Sequence, residues 1–320
     1  MKLIAASLAA LLLSATTALA QKLEIKVGHV SEVGSHFDRM CNEFARRANE
    51  RLGDMATVRV YPSSQLGSDR DMLQKMRLGQ IQPSTIMSSV TPEFGVFDMP
   101  YLIRDRAHIE RVVEELKDSY FVPAAEKRGV LILGWWENGF RHITNNVRPI
   151  VTPEDLKGVK LRTPAGEWRV KMFKSYGANP SPMAFGEVFT ALKTGVMDGQ
   201  ENPFINIWAA KFYEVQKYLS LTGHVYVPAY LVTSPTHFAK LPPEVQKILR
   251  ETALEVEPIA REIGAKDDSE LLAKLKEKGM QVNEADKDAF VAGSKAIYEE
   301  FGKTVPGGAE LIAKIQSLAN

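Results

Sequence analysis

The sequence predicts an α/β fold of two lobes with a ligand cleft between them and a long helical region towards the C-terminus. Three observations carry this. A βαβαβ rhythm fills roughly the first 140 residues, which argues for a sheet built largely of parallel strands. The rhythm restarts near residue 150. No repeat, low-complexity run or Gly/Ser linker separates the halves, so several chain crossings are expected rather than a simple tether. Clefts at strand ends are where α/β proteins bind ligands.

The elements follow in order. In residues 22–30, Leu23, Ile25 and Val27 alternate with polar residues, the period of a strand. HFDRMCNEFARRANE then places Phe37, Met40, Cys41, Phe44 and Ala48 at helical spacing. A strand is expected at 57–61, a helix over 70–78 ended by Gly79, and a strand at 84–87. A helical stretch over 108–127 leads into an apolar strand, 130–135. In the second half, Thr152-Pro153-Glu154-Asp155 supplies a capping threonine, a proline at the first helical position and an acid at the third. That turn ends at Gly158 and releases the strand 159–163. Helices are expected over 168–175, 184–194 and 205–213, with strands within 218–233. Pro242-Pro243 opens a charged, amphipathic helix reaching about residue 278, and a last helix covers 285–301.

The chain has 320 residues, with 40 basic side chains against 39 acidic ones. It has room for two medium domains and shows no basic stripe of the kind a polyanion needs, so nucleic acid is not an expected partner. Lys2, the apolar run 3–13 and Ala18-Leu19-Ala20 before Gln21 form a secretory leader, cleaved after Ala20. The run is too short for the roughly 20 residues of a membrane helix. Cys41 is the only cysteine, so no disulfide can form within the chain, and its helical register assigns it to the core.

Catalytic templates fail. There is no G-x-G-x-x-G, G-x-x-x-x-G-K, G-x-S-x-G or H-E-x-x-H, and the six histidines show no metal-ligand spacing. Arg162 stands out instead. In 159–163, alternation sends Val159 and Leu161 to one face and Lys160 and Arg162 to the other, and Pro164 ends the strand at once. An arginine there can point into a cleft, where its planar fork matches a carboxylate bidentately. The strand alone equally allows a structural salt bridge. The next helix carries the apolar stripe Phe185, Val188, Phe189 and Leu192, with Phe185 at the end nearest a cleft. Asp198 to Asn202 then reads as a polar loop in which Asn202 offers both a donor and an acceptor.

With these residues in hand, KLRTPAG, then GANPSPMAFGEVFTALKTGVMDGQENP and KFYEVQKYLSLTGH resemble the solute-binding proteins of tripartite ATP-independent periplasmic (TRAP) transporters, the DctP type. YPSSQLGSDRDML, NGFRHITN and LPPEVQKIL extend the similarity over nearly the whole mature chain. The resemblance implies a periplasmic-binding-protein fold whose lobes close on a ligand. It places the family's carboxylate-clamping arginine on Arg162, a second arginine on Arg141, the pocket phenylalanine on Phe185 and the pocket asparagine on Asn202. Read without the family, Arg141 sits at a crossover between lobes, where a surface position is the plainer expectation. The sequence departs from the sialic-acid binders at Ala165, Ser68 and Ser88-Ser89, which argues against sialate.

The expected organisation is a leader at 1–20, a first lobe of 21–139 plus about 228–267, and a second of 140–227 plus about 268–320. The expected function is capture of an organic acid, foremost a sugar acid such as glucuronate or galacturonate. Glu32, His36 and Ser88 are candidates for contacts to hydroxyls, and Trp135, Trp136 and Trp168 for flat apolar contact. Pantoate-like hydroxy acids and C4-dicarboxylates remain alternatives, as does a binding protein serving another transporter type. The small and large permease subunits are the implied membrane partners. A monomer without cofactor is expected. The competing class is an exported hydrolase or lyase using His36 or His142 with a glutamate.

Overall fold

The computed structural model describes residues 22–81, 84–87 (backbone course) and 91–319. The expected leader and Ser88 lie outside them. Among the described residues the strands are β1 (Leu23–Gly28), β2 (Ala56–Tyr61), β3 (Ser84–Met87), β4 (Leu131–Phe140), β5 (His142–Asn145), β6 (Lys160–Thr163), β7 (Asn179–Pro182), β8 (Gly199–Asn202), β9 (Tyr218–Leu221), β10 (Tyr226–Thr233) and β11 (Gln281–Glu284). They form two sheets, in the orders β2-β1-β3-β10-β4 and β11-β9-β5-β8-β6-β7. The chain leaves the first sheet between β4 and β5 and returns between β9 and β10.

Those crossings correct the expectation of largely parallel sheets. In the first sheet β1 is parallel to β2 and β3, but β10 arrives from the second lobe and runs antiparallel to β3 and β4. In the second, β6 is parallel to β7 and β8, while β5 is antiparallel to β8 and β9. Each sheet is mixed because a strand entering from the other lobe comes in from the opposite end.

Three helices of the first lobe matter for the site. The first, α1 (His36–Leu52), is capped by Ser35, whose Oγ accepts from the Asp38 N–H. It buries Phe37, Met40, Cys41 and Phe44 against the sheet. The second, α2 (Asp69–Arg77), begins with a reciprocal Ser68–Asp71 capping box. The third, α3 (Arg106–Leu116), receives the last helix, Gly308–Ser317, through His108 Nε2 and Ile315 O at 2.8 Å and the Arg111 Nε–H donated to Leu318 O. That last helix was absent from the sequence reading, which assigned its residues to the second lobe. The expected helix 285–301 is two, Lys287–Gly293 and Lys295–Thr304. The expected helix 184–194 begins as a 3₁₀ turn, Phe185–Glu187, before Val188–Lys193.

The 35-residue helix Pro243–Glu277 lies along β4 and α1. Where it passes Glu137 it carries Gly264, and a Cβ there would sit 2.1 Å from Glu137 Oε1. Glycine at this position leaves room for the Glu137 carboxylate against the helix.

The stretch expected as a polar loop is also corrected. Gly199-Gln200-Glu201-Asn202 is β8, a central strand between β5 and β6 with every residue buried. A Cβ at Gly199 would lie 2.3 Å from Thr144 O, so the glycine is what lets β8 pair tightly with β5.

Candidate ligand-binding site

Arg162 sits on β6 with Leu161 turned into the second lobe's core and its own side chain turned the other way, 2% exposed. Its Nε–H and Nη2–H both donate to Met183 O, at 3.0 and 2.6 Å. Its guanidinium carbon lies 5.8 Å from the centre of the Phe185 ring. One edge of the fork is thereby fixed. Nη1 is buried with no acceptor from the protein. Burial, reinforced by the like charge of Arg141, pushes the Arg162 pKa down to about 9.

Arg141, expected at the surface, is 1% exposed and faces a carboxylate of its own chain. Its Nε–H donates to Glu201 Oε2 at 2.5 Å and its Nη2–H to Glu201 Oε1 at 2.9 Å. Arg169 grips both oxygens of Glu201 at 3.0 and 2.9 Å and reaches Asp98 with its other nitrogen. His224 Nε2 completes the shell at 3.1 Å. Burial would raise the Glu201 pKa, but Arg141 and Arg169 hold it well below the usual carboxylate range. Arg141 Nη1, like Arg162 Nη1, is buried without an acceptor.

The charge count is informative. Three guanidinium groups (Arg141, Arg162, Arg169) meet two paired carboxylates (Asp98, Glu201). Arg162 is the member with no ion pair. A buried, unpaired cation is expensive unless something from outside joins it.

A string of neutral polar groups runs beside the arginines. His36 Nε2 lies 3.1 Å from Asn138 Oδ1, which can only accept, so the proton is on Nε2 and Nδ1 is an acceptor. Burial pushes the His36 pKa down to about 3, keeping the ring neutral. Asn206 Nδ2 donates to Asn138 Oδ1 and to Asn202 Oδ1, at 3.3 and 3.1 Å. Asn202 Nδ2 donates to Gln200 Oε1 at 2.5 Å, and Gln200 Nε2 to Thr144 Oγ1 at 2.9 Å. Both ends of the Asn202 amide are thus held by the protein. Among the described residues, His36 Nδ1, Asn206 Oδ1 and, on α2, Asp69 Oδ1 are buried acceptors without a donor.

Of the residues named from the sequence, Arg141, Arg162, Phe185, Asn202 and His36 belong to this region. Trp168 does not: its ring packs edge-on to Phe301 at 4.9 Å and against Gly95, where a Cβ would come within 2.4 Å. Trp135 and Trp136 are core residues, the first among Phe94, Phe97 and Phe121, the second donating to Ala253 O. Glu32 accepts from Ser63 and lines, with Phe185 and Phe212, a cavity of about 290 Å³. Sequence reasoning missed Arg169, Asp98, Asn206 and Asp69. For Arg169 a signal existed: it lies on the buried stripe of its helix with Trp168, Met172 and Phe173.

A larger cavity, about 620 Å³, lies between Tyr101, Phe140, His142, Phe204 and Lys287. None of the three clustered arginines lines it, and its own Arg106 is paired to Glu137 and Asp268. Volume therefore points to one place and unsatisfied charge to another. Unsatisfied charge is the better guide, because it requires a partner. His142, offered as a catalytic base, instead accepts from the Gly223 N–H and stacks on Phe204 at 4.3 Å, with no carboxylate on it. Among the described residues no His, Cys, Asp and Glu group of three is placed to hold a metal.

Two α/β lobes joined by repeated crossings, with an incompletely neutralised cationic cluster buried where they meet, define a two-lobed solute-binding protein. The chain belongs to the bacterial extracellular solute-binding protein family 7, the DctP family of TRAP receptors, which it matches over residues 27–304. It is 36% identical over 275 residues to the 2,3-diketo-L-gulonate-binding periplasmic protein YiaO of Escherichia coli K12, covering 84% of each chain. A TRAP periplasmic solute-binding protein from Polaromonas sp. JS666, solved with D-erythronate, superposes with a TM-score of 0.88 at 34% identity, over 92% of this chain and 99% of that one. One from Sulfurospirillum deleyianum, solved with succinate, gives a TM-score of 0.88 at 31% identity, over 93% and 99%.

Proposed function

We propose that this chain is the receptor of a TRAP transporter, capturing an organic acid in the periplasm and delivering it to the small and large permease subunits. The observation that carries the reading is Arg162 Nη1, a buried cationic donor without an acceptor. A ligand carboxylate bridging it and Arg141 Nη1 supplies two acceptors and the missing negative charge. Closure of the two lobes, one built on each sheet, removes water and strengthens those bonds. The leader is removed after Ala20, and the mature receptor works as a monomer without cofactor, returning its ligand unchanged.

The unmet acceptors sharpen the ligand class. His36 Nδ1 and Asn206 Oδ1 call for donors, which hydroxyl groups bring and a second carboxylate does not. This favours hydroxylated monocarboxylates, from pantoate-like acids to glucuronate and galacturonate, over C4-dicarboxylates. The relatives that bind diketogulonate and erythronate agree with this class, whereas the succinate-bound one does not.

A thermal-shift screen of organic acids on the wild type and on Arg162→Ala tests the reading, since a ligand stabilises by RT ln(1 + [L]/Kd). Loss of the guanidinium costs about 2–5 kcal/mol of binding, roughly 30-fold to several thousand-fold in affinity. A hit that persists undiminished in the variant removes Arg162 from the site. Conversion of the hit to a product removes the receptor class.

A further inference from the structure

We propose that the cavity of about 620 Å³ behind the lobe crossovers is a second small-molecule site, which takes a planar aromatic monocarboxylate and acts on the angle between the lobes. The site does not use Arg162, so the inference goes beyond the receptor reading and stands apart from it.

The cavity and the arginine cluster lie back to back. At the first crossover Arg141 turns to Glu201, while its neighbours Phe140 and His142 line the cavity. At the second, His224 turns to Glu201, while Leu221 and Gly223 line the cavity. Alternation along extended backbone puts the two sets on opposite faces. The Arg141 N–H donates to Val225 O at 3.0 Å, so the crossovers run side by side between the two sites. The 35-residue helix is a third connection. It packs Val256 and Ala260 into the first lobe's core, leads to β11 of the second sheet, and lines the cavity with Asp268 and Leu272. Three connections between the lobes thus share one wall.

The lining sets the ligand class. Phe140, and His142 stacked on Phe204 with ring centres 4.3 Å apart, give flat apolar surfaces. Burial keeps His142 neutral, its pKa pushed down to about 3. The Gly223 N–H donates to His142 Nδ1 at 3.1 Å, which leaves the ring proton on Nε2 with no acceptor among the described residues. Of the charged lining groups, Arg106 is paired to Glu137 and Asp268, and Asp105 accepts from the His108 N–H. Arg104 and Lys287 are exposed and carry no ion pair among the described residues, and Glu284 is the one lining acid without a partner. Two free cations against one free acid leave a single positive charge. Flat walls, that charge and a ring N–H suit an aromatic body bearing one carboxylate.

Position gives the site its effect. Lobes that hinge about these connections bring the cleft side together as the reverse side spreads. Here Arg162 and Arg141 are enclosed, 2% and 1% exposed, while the reverse cavity is open. A molecule filling that cavity favours the closed cleft over an arrangement in which the cleft opens and the cavity narrows. By linkage, each ligand then tightens the other.

The test is titration of the mature chain with indole-3-acetate and its neutral analogue indole-3-acetamide, followed by backbone NMR shifts. Indole-3-acetate is expected to bind with a Kd of about 1 mM or tighter, with the largest shifts around Gly223 and Lys287, and the acetamide about tenfold more weakly. Arg104→Glu combined with Lys287→Glu reverses two exposed charges, and a matched melting temperature checks the fold. That variant is expected to weaken indole-3-acetate about tenfold or more, whereas Arg162→Ala retains it. No binding to the wild type, or binding that ignores the charge reversal, overturns the site. Binding lost in Arg162→Ala and kept in the charge reversal puts the probe in the acid cleft and overturns it equally. In Arg162→Ala the saturating probe is also expected to reduce the radius of gyration measured by small-angle X-ray scattering. An unchanged or larger radius overturns the effect on the lobes. The clamp is judged separately, by the organic-acid screen, so the two readings fail independently.

Discussion

Arg106 and Arg162 are both arginines held near acids at the meeting of the lobes, and their surroundings differ in one respect. Arg106 is offered two carboxylates, Glu137 and Asp268, with its Nη2 2.6 and 2.8 Å from them. There the surplus charge is negative, and burial raises the Glu137 pKa despite Arg106. Arg162 is offered a peptide carbonyl and an aromatic face, and the surplus around it is positive. A cluster whose cations are all paired within the chain holds the fold together. One that leaves a buried cation unpaired is, on the reading proposed above, arranged for a visitor.

Substitutions that separate stability from binding test this contrast. The largest effect is expected for Arg106→Ala, which strands Glu137 in the interior and costs about 3–5 kcal/mol of unfolding free energy by denaturant titration. Ligand affinity stays within about twofold of wild type there, a shift under the tenfold that marks each 1.4 kcal/mol. A loss of affinity matching that of Arg162→Ala would dissolve the distinction between the clusters.

Acid is the next probe. The buried His36 titrates near 3 when folded and near 6.5 when unfolded, so the unfolded chain binds the extra proton. Stability contributed by the neutral ring is complete above about pH 6.5 and is lost as pH falls from there towards 3, amounting to about 2 kcal/mol at pH 5. Asp69, raised to about 6, works the other way, favouring the folded state on the acid side and losing that contribution as pH rises through 6. The melting temperature should fall between pH 7.5 and pH 5, and fall less in His36→Gln. An equal fall in that variant would move the effect to other groups.

Gly264→Ala brings a methyl group against Glu137 Oε1, which Arg106 and Tyr226 hold in place. Overpacking offset by better helix propensity leaves about 1–2 kcal/mol of destabilisation. A neutral or stabilising result would mean that Glu137 can step aside. The smallest expected change is the stability of Arg162→Ala without ligand, within about 1 kcal/mol, because relief of repulsion from Arg141 and Arg169 offsets the two bonds lost at Met183. A cost above about 3 kcal/mol would mark Arg162 as structural.

How much of this was legible in the sequence depends on which signal each element carries. Arg162 was readable because β6 alternates in the ordinary way, Leu161 inward and Arg162 outward from that core. The cap at 152–155 was readable because capping is local chemistry. β8 was not, since its buried side chains Gln200, Glu201 and Asn202 are all polar and are satisfied by one another, by Thr144 of β5 and by Arg141, Arg169 and His224, leaving no hydrophobic period to detect. β7, Asn-Pro-Ser-Pro, defeats strand propensity and is tolerated because it is an edge strand pairing only with β6. Arg141 looked superficial because its partner, Glu201, is 60 residues away. Asn206 was invisible for the same reason, its partner Asn138 being brought in by the chain crossings.

The pinning of Glu201 by Arg141, Arg169 and His224 has a consequence for descent as well as for chemistry. The anchor that neutralises the interior is housed on the second lobe and closed by Asp98, whereas His36, on the reading proposed above a group that meets the rest of the cargo, rides on the first. On that reading a lineage could exchange such an inspector and acquire a new nutrient, while the keystone that lets the molecule assemble passes on untouched.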